Sequence, residues 1–281
     1  MSLINQQTRY AYKVVFVNDG STDDSQTILE KYCDYSCITI ITTPNQGVSA
    51  ARNIALQHIE ARYVLFVDSD DFLTTDAVEK LIMKADETGA DIVEGNNRYF
   101  INNRTLYISQ HPTNRLFGMA CGKIYNAKLW KRIVFPLDTW YEDTLNWMVL
   151  YQMGAQMLTI SDVIYNYRST PTGYSQAHNQ NVRRIETYWV TKQLLSDAQS
   201  LGIEPTAFYY ETFLRQTQLN SHRVAILGDR KADYALFKAH QALRDMYFMD
   251  YRAEGQKEKR IESALLKDDF KEYFLYCLFL F

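Results

Sequence analysis

The chain lacks both glycine signatures of phosphate-binding loops: neither G-x-G-x-x-G nor G-x-x-x-x-G-K-[ST] occurs in its 281 residues. That argues against a dinucleotide cofactor and against a P-loop nucleoside triphosphatase, and leaves any phosphate to be met by a metal ion and arginine. A basic excess is missing too. Lys and Arg number 30 against 33 Asp and Glu, a net charge of −3, so nucleic acid is not an expected partner. There are four cysteines, Cys33, Cys37, Cys121 and Cys277, and no C-x-x-C pair. Their scatter argues against zinc and fits a reducing cytoplasm, and Cys33 and Cys37, where a helix gives way to a strand, are expected to pack. No repeat or low-complexity segment occurs, and no apolar run is long enough to span a bilayer. The apolar end YFLYCLFLF (273–281) is too short to do so and suits a docking helix or an interfacial anchor.

What is plentiful is aromatic. Twenty-one Tyr and 14 Phe suggest half-wet aromatic surfaces, such as sugar platforms or protein contacts, beyond those that fill the core. Short apolar runs alternate with amphipathic ones in the first third: KVVFV (13–17), ITIIT (38–42), YVLFV (63–67) and DIVEG (91–95) read as strands. Helices follow the first three, the third with Val78, Leu81, Ile82 and Ala85 on one face, Thr74 or Thr75 as cap and Gly89 as stop. Such alternation predicts crossover units, an α/β fold with a mostly parallel sheet flanked by helices. Beyond residue 96 the pattern predicts a hairpin around Asn102-Asn103 and two shorter helices in YNAKLWKRI and EDTLNWMVLYQMG. An edge strand in MLTISDVIYNYRS follows. From about residue 179 all is helical, in stretches 180–201, 205–227, 230–250 and 256–280.

Polar clusters follow the first three strands, and in an open α/β sheet such clusters converge at the carboxyl ends. They are Asn18-Asp19-Gly20-Ser21, Asn45-Gln46-Gly47 leading to Arg52, and Asp68-Ser69-Asp70-Asp71. The first is also ordinary turn chemistry, and Arg52 alone could be a solvated ion pair. Three carboxylates within four positions are harder to explain as a turn, because each raises the pKa of the others unless a cation intervenes. Mg2+ or Mn2+ takes one or two carboxylates and completes its shell with phosphate oxygens, which suggests a nucleotide diphosphate. Further on, Glu142 and Asp143 open a helix in TWYEDTLNW. They suit either capping or a general base, with Trp140 and Tyr141 beside them as candidate sugar-stacking rings.

Taken in order, VVFVNDGSTDDS, NQGVSAARN, YVLFVDSDDFL, CGKIYNAKLWKRIVFP, YEDTLN and YNYRSTPTGYS resemble glycosyltransferase family 2, the inverting enzymes of GT-A fold, and within it the polysaccharide-assembling enzymes of bacteria. The resemblance covers roughly residues 13–175. It implies a nucleotide-sugar-binding and catalytic domain over 1–175, a helical C-terminal region over 176–281, and transfer of a hexosyl group from a donor that is typically a UDP-sugar. Asp19 would meet the base or ribose and Arg52 the phosphates. Asp68 and Asp70 would form the D-x-D motif, with Asp70 the direct ligand of Mn2+ or Mg2+ and Asp68 nearer the ribose or the metal's waters. Asp71 would orient the loop or touch the donor sugar. Asp143 would be the base, supported by Glu142, and His178 would help with metal or phosphate. The acceptor would be a carbohydrate or a lipid-linked saccharide, met in the cytoplasm or at the inner face of the membrane. The C-terminal helices are candidates for membrane contact or self-association.

One departure stands out. The family begins with an apolar strand, a nucleotide-wall loop and a helix ahead of VVFVNDGS, whereas only MSLINQQTRYAY precedes it here. The expectation is a chain short of its first strand and helix, roughly 30 residues, with weakened donor binding. Two rivals follow: a non-catalytic binding or scaffold subunit, and a phosphatase of the haloacid dehalogenase type, which also carries D-x-D behind a buried strand.

Overall fold

The computed structural model describes residues 2–111, 116–170 and 181–279. The chain divides into two compact units: Met1–Asp138 with Gly154–Gly173, and Thr139–Met153 with Tyr174–Phe281.

The first unit is α/β. Strand β1 (Val14–Asp19), helix α1 (Ser25–Glu30), strand β2 (Ile38–Thr43) and helix α2 (Val48–Leu56) form a crossover unit in which β1 and β2 pair in parallel, Val14 opposite Ile38 through Asp19 opposite Thr43. Strands β3 (Tyr63–Leu65) and β4 (Phe72–Leu73) and helix α3 (Ala77–Thr88) come next. The long β5 (Ile92–Ile101), then β6 (Arg104–Ile108), β7 (Lys123–Asn126) and β8 (Met157–Arg168) complete the unit. The larger sheet runs β3-β7-β5-β8-β4, with β6 paired to β5. Its pairings are more mixed than crossovers alone predict. β5 and β8 are parallel, while β3–β7, β5–β7, β5–β6 and β4–β8 are antiparallel. The expected edge strand β8 is interior, because the two-residue β4 pairs along its far side. Val163, Ile164 and Tyr165 at its centre give it the β-branched and aromatic character of a buried strand.

Several local expectations are met. Gly89 ends α3 in the left-handed conformation, and Asn102 and Asn103 both take positive φ to close the β5–β6 hairpin. Others are not. The N-terminus of α3 is satisfied not by a threonine but by Gln6, whose Oε1 accepts from Val78 N at 3.0 Å. Cys33 is exposed rather than packed. Residues 127–131 form a short 3-10 turn in place of a helix.

The core of this unit lies between α3 and the sheet, with Leu81, Ala85, Ile92, Val93 and Tyr125 buried. Phe66, Trp130 and Phe135 form an aromatic knot, Phe66 edge-on to both others at centroid distances of 5.2 and 5.3 Å. The sheet also holds a buried ion pair: Lys123 Nζ is 2.6 Å from Glu94 Oε1 and donates to Phe117 O at 2.6 Å, while Glu94 Oε2 accepts from Phe117 N at 2.7 Å. Burial pushes the Glu94 carboxyl upward, against the pull of the lysine.

The second unit is helical: α4 (Thr144–Met148), α5 (Glu186–Ser200), α6 (Ala207–Ala225), α7 (Arg230–Tyr247), α8 (Gln256–Leu266) and α9 (Phe270–Phe279). The expected single helix over 256–280 is two, broken at Asp268, which takes a φ of +55°. The α4 segment docks on α6 through Tyr209, whose hydroxyl donates to Met148 O at 2.6 Å. Among the described residues, no helix is long and apolar enough to cross a membrane.

Candidate functional site

Within the first unit, the carboxyl ends of β1, β2 and β3 carry the expected clusters. Gly20, with φ +69°, turns the chain out of β1 so closely over Asn45 that a Cβ there would lie 2.6 Å from Asn45 N. Only glycine fits, and the close approach brings Asp19 against the loop that opens α2. The Asp19 carboxylate accepts from Gln46 N at 2.9 Å and Gly47 N at 2.7 Å, bracing that loop.

Arg52, on α2, is buried, with 9% of its surface exposed. Its Nη2 donates to Asp68 Oδ1 at 2.9 Å, and its guanidinium lies 5.2 Å from the centre of the Phe135 ring. The neighbouring Asn53 fixes the approach of α2 by accepting from Phe135 N at 2.7 Å and donating to Phe135 O at 2.9 Å.

The three carboxylates behind β3 have different surroundings. Asp68 is tied to Arg52, and its backbone N–H donates to the Tyr165 hydroxyl at 3.1 Å. Asp70 is exposed, and its backbone oxygen accepts from Arg168 Nε at 2.8 Å. Asp71 turns inward, with Oδ1 accepting from Arg168 N at 2.7 Å. Burial, reinforced by the neighbouring charges of Asp70 and Asp68, pushes the Asp71 carboxyl up to about 6, although Arg168 N and Tyr165 pull the other way. Tyr165 and Arg168, both on β8, thus shape the loop. Sequence reasoning quoted both within YNYRSTPTGYS but gave neither a role, since their reach depends on β8 lying beside β4.

Among the described residues, no three His, Cys, Asp or Glu side chains form a ready-made metal cage. What the loop offers is one outward carboxylate, Asp70, and the second oxygen of Asp68. That donor set suits a hard cation that arrives with phosphate oxygens of its own.

Within the second unit, Asp143 stands at the N-cap position of α4 but makes no capping hydrogen bond with its side chain, so capping does not explain it. The preceding Tyr141 adopts a φ of +67°, rare for an aromatic residue. Arg223 of α6 holds it there: the guanidinium lies 3.7 Å from the centre of the Tyr141 ring, and Nη1 donates to Thr187 Oγ1 at 2.8 Å. Burial draws the Arg223 guanidinium down to about 10, while Tyr141, Asp143 and Glu142 favour its charge. Trp140 is buried beneath Arg183 and its backbone N–H donates to Glu186 at 2.8 Å, so it serves packing rather than stacking on a sugar. His178 lies outside the described residues.

Comparison with known proteins accords with this geometry. Residues 1–149 match the profile of Glycosyl transferase family 2. Glycosyltransferase GlyA of Streptococcus pneumoniae serotype 4 is 28% identical over 94% of this chain and 45% of its own length. The glycosyltransferase YibD of Escherichia coli K12 is 28% identical over 83% of this chain and 61% of its own. The chain thus spans roughly half of these relatives. Among solved structures, Staphylococcus aureus TarS 1–349 in complex with UDP-GlcNAc superposes with a TM-score of 0.70 at 20% identity, over 98% of this chain and 84% of that one, which establishes the GT-A-type α/β fold. With the family profile matched across more than half its length, this chain belongs to glycosyl transferase family 2, and the phosphatase reading of its D-x-D falls away.

Proposed function

We propose that the chain transfers a sugar from a nucleotide diphosphate donor, a UDP-sugar, to an acceptor hydroxyl with inversion, in the synthesis of a bacterial polysaccharide or glycoconjugate. The observation that carries this reading is the loop behind β3, where Asp68 is held by the buried Arg52 and Asp70 is turned outward. The names of relatives support the substrate class: S. aureus TarS is a poly(ribitol-phosphate) beta-N-acetylglucosaminyltransferase, 27% identical over 58% of this chain, and its structure holds UDP-GlcNAc.

In this reading Asp70 and the second oxygen of Asp68 would hold Mn2+ or Mg2+, whose Lewis acidity offsets charge on the departing diphosphate. Arg52 adds a fixed positive charge on the same side, and Asp71 keeps the loop in place through Arg168. The loop braced by Asp19 receives the nucleoside. Asp143 takes the proton of the acceptor hydroxyl, assisted by Glu142. The acceptor oxygen bonds to the anomeric carbon as the bond to the diphosphate oxygen breaks, and one displacement on the opposite face inverts the centre.

Calorimetric titration with UDP, with and without Mn2+, tests the donor half. Metal-dependent binding that weakens roughly tenfold or more in Asp70→Asn is expected. UDP binding that ignores both metal and this substitution would overturn the assignment, and no binding at all would favour a non-catalytic subunit.

A further inference from the structure

The abundance of tyrosine finds a use on the larger sheet that donor chemistry does not explain. The strand registers set Tyr99 of β5 opposite Tyr107 of β6 on one side and opposite Tyr167 of β8 on the other. The three rings form a cross-strand ladder. Tyr99 and Tyr107 stack at 4.4 Å and 14° between planes, and Tyr99 and Tyr167 lie 5.0 Å apart, tilted by 41°. Its inner members are half-buried, whereas Tyr107 is 55% exposed on a strand that, among the described residues, pairs with β5 alone. One face of Tyr107 is covered by Tyr99.

The inner end of this ladder meets the carboxylate loop. Side chains alternate along a strand, so Tyr165 and Tyr167 share a face of β8, and Tyr165 receives the backbone N–H of Asp68. The next residue, Arg168, supplies the N–H that holds Asp71. Asp71 lies close enough to Tyr99 to act on its hydroxyl electrostatically. The rings therefore lead away from the carboxylates across two strand spacings, about 10 Å.

A pyranose has an apolar face of C–H bonds and a rim of hydroxyls. A row of tyrosines meets both needs, with ring faces and edges for the first and phenolic oxygens for the second. We propose that Tyr107, Tyr99 and Tyr167 form a saccharide platform contiguous with the carboxylate loop, receiving the sugar units of the acceptor. The proposal rests on the transferase reading only for the purpose of the bound saccharide, not for the binding itself.

Saturation-transfer difference NMR tests it on the whole chain with three probes, methyl β-glucopyranoside, cellobiose and N,N′-diacetylchitobiose, each without donor. Transfer to ring C–H protons of at least one disaccharide is expected. It should fall roughly fivefold in Tyr107→Ala, about what one stacked ring is worth, and persist in Tyr107→Phe. No transfer to any probe, or equal transfer in Tyr107→Ala, would overturn the platform. So would light scattering that shows a dimer dissolved by Tyr107→Ala, because the β6 edge would then serve a second copy. UDP titration of the same samples separates the two readings: intact UDP binding with no saccharide transfer sinks the platform alone, and saccharide transfer without UDP binding sinks the donor site alone.

Discussion

Arg52 and Asp68, one on a helix and one behind a strand, meet at 2.9 Å with the arginine buried and the aspartate about one-third exposed. The arrangement places a permanent positive charge beneath the carboxylate loop, where a lysine could not reproduce both the hydrogen bond and the contact with Phe135. Arg52→Lys is accordingly expected to lower stability by about 2 kcal/mol and to weaken UDP binding in Mn2+. Urea denaturation and calorimetry on the same samples check both. A variant as stable and as tight as the parent would show that the pair is incidental.

Asp71 gives the loop a pH dependence of definite sign. Its carboxyl is raised to about 6 in the folded chain, above the ordinary 3.8, so the folded state holds this proton more firmly than the unfolded one. The group's contribution is fully present below the ordinary value and is lost as pH rises through about 6. Asp71→Asn keeps an oxygen for Arg168 N and removes the titration. Melting temperature measured from pH 4 to 7 should therefore fall less with rising pH in Asp71→Asn than in the parent. Parallel curves would mean that Asp71 ionises as an ordinary surface carboxylate.

The Glu94–Lys123 pair, wholly buried, is predicted to be costly to split. Lys123→Met leaves Glu94 without its lysine, with the His111 ring 3.6 Å away, and should destabilise the chain by about 3–5 kcal/mol. The double variant Glu94→Gln, Lys123→Met should recover much of that loss, because no buried charge then remains. Denaturant unfolding of the single and double variants gives the coupling directly, and additive losses would show that the two side chains act independently.

How much of this could be read from the sequence depends on how local each feature is. The strands at 14–19 and 38–43, the Asn102-Asn103 turn and the Gly89 stop are governed by neighbouring residues, and periodicity and turn chemistry reveal them. The grouping of Asp19, Arg52 and Asp68 in one unit follows from strand-end logic, although that logic does not say that Asp68 would be paired and Asp71 turned inward. The interior position of β8, and with it the roles of Tyr165 and Arg168, depends on pairing with β4 across more than ninety residues. Asp268 breaking the last helix, and Arg223 reaching Tyr141, are likewise contacts made in three dimensions by residues that look ordinary in one.

Arg223 supplies the last prediction. Tyr141 holds a backbone conformation that costs an aromatic residue about 1 kcal/mol or more, and it immediately precedes Glu142 and Asp143. The guanidinium against its ring is the contact that stabilises this turn from α6. If Asp143 is the base, Asp143→Asn removes the proton acceptor itself and should lower kcat by about 10²–10⁴. Arg223→Ala acts through the turn and should lower kcat less, with donor KM little changed if the nucleotide is held at the carboxylate loop behind β3. A UDP-release assay on both variants, with UDP calorimetry as control, distinguishes the two roles. Arg223→Lys should recover part of the loss, since an ammonium can still sit over the ring. A loss of UDP affinity in Arg223→Ala equal to its loss of kcat would assign Arg223 to the donor instead, and an unchanged kcat in Asp143→Asn would remove Asp143 from the chemistry.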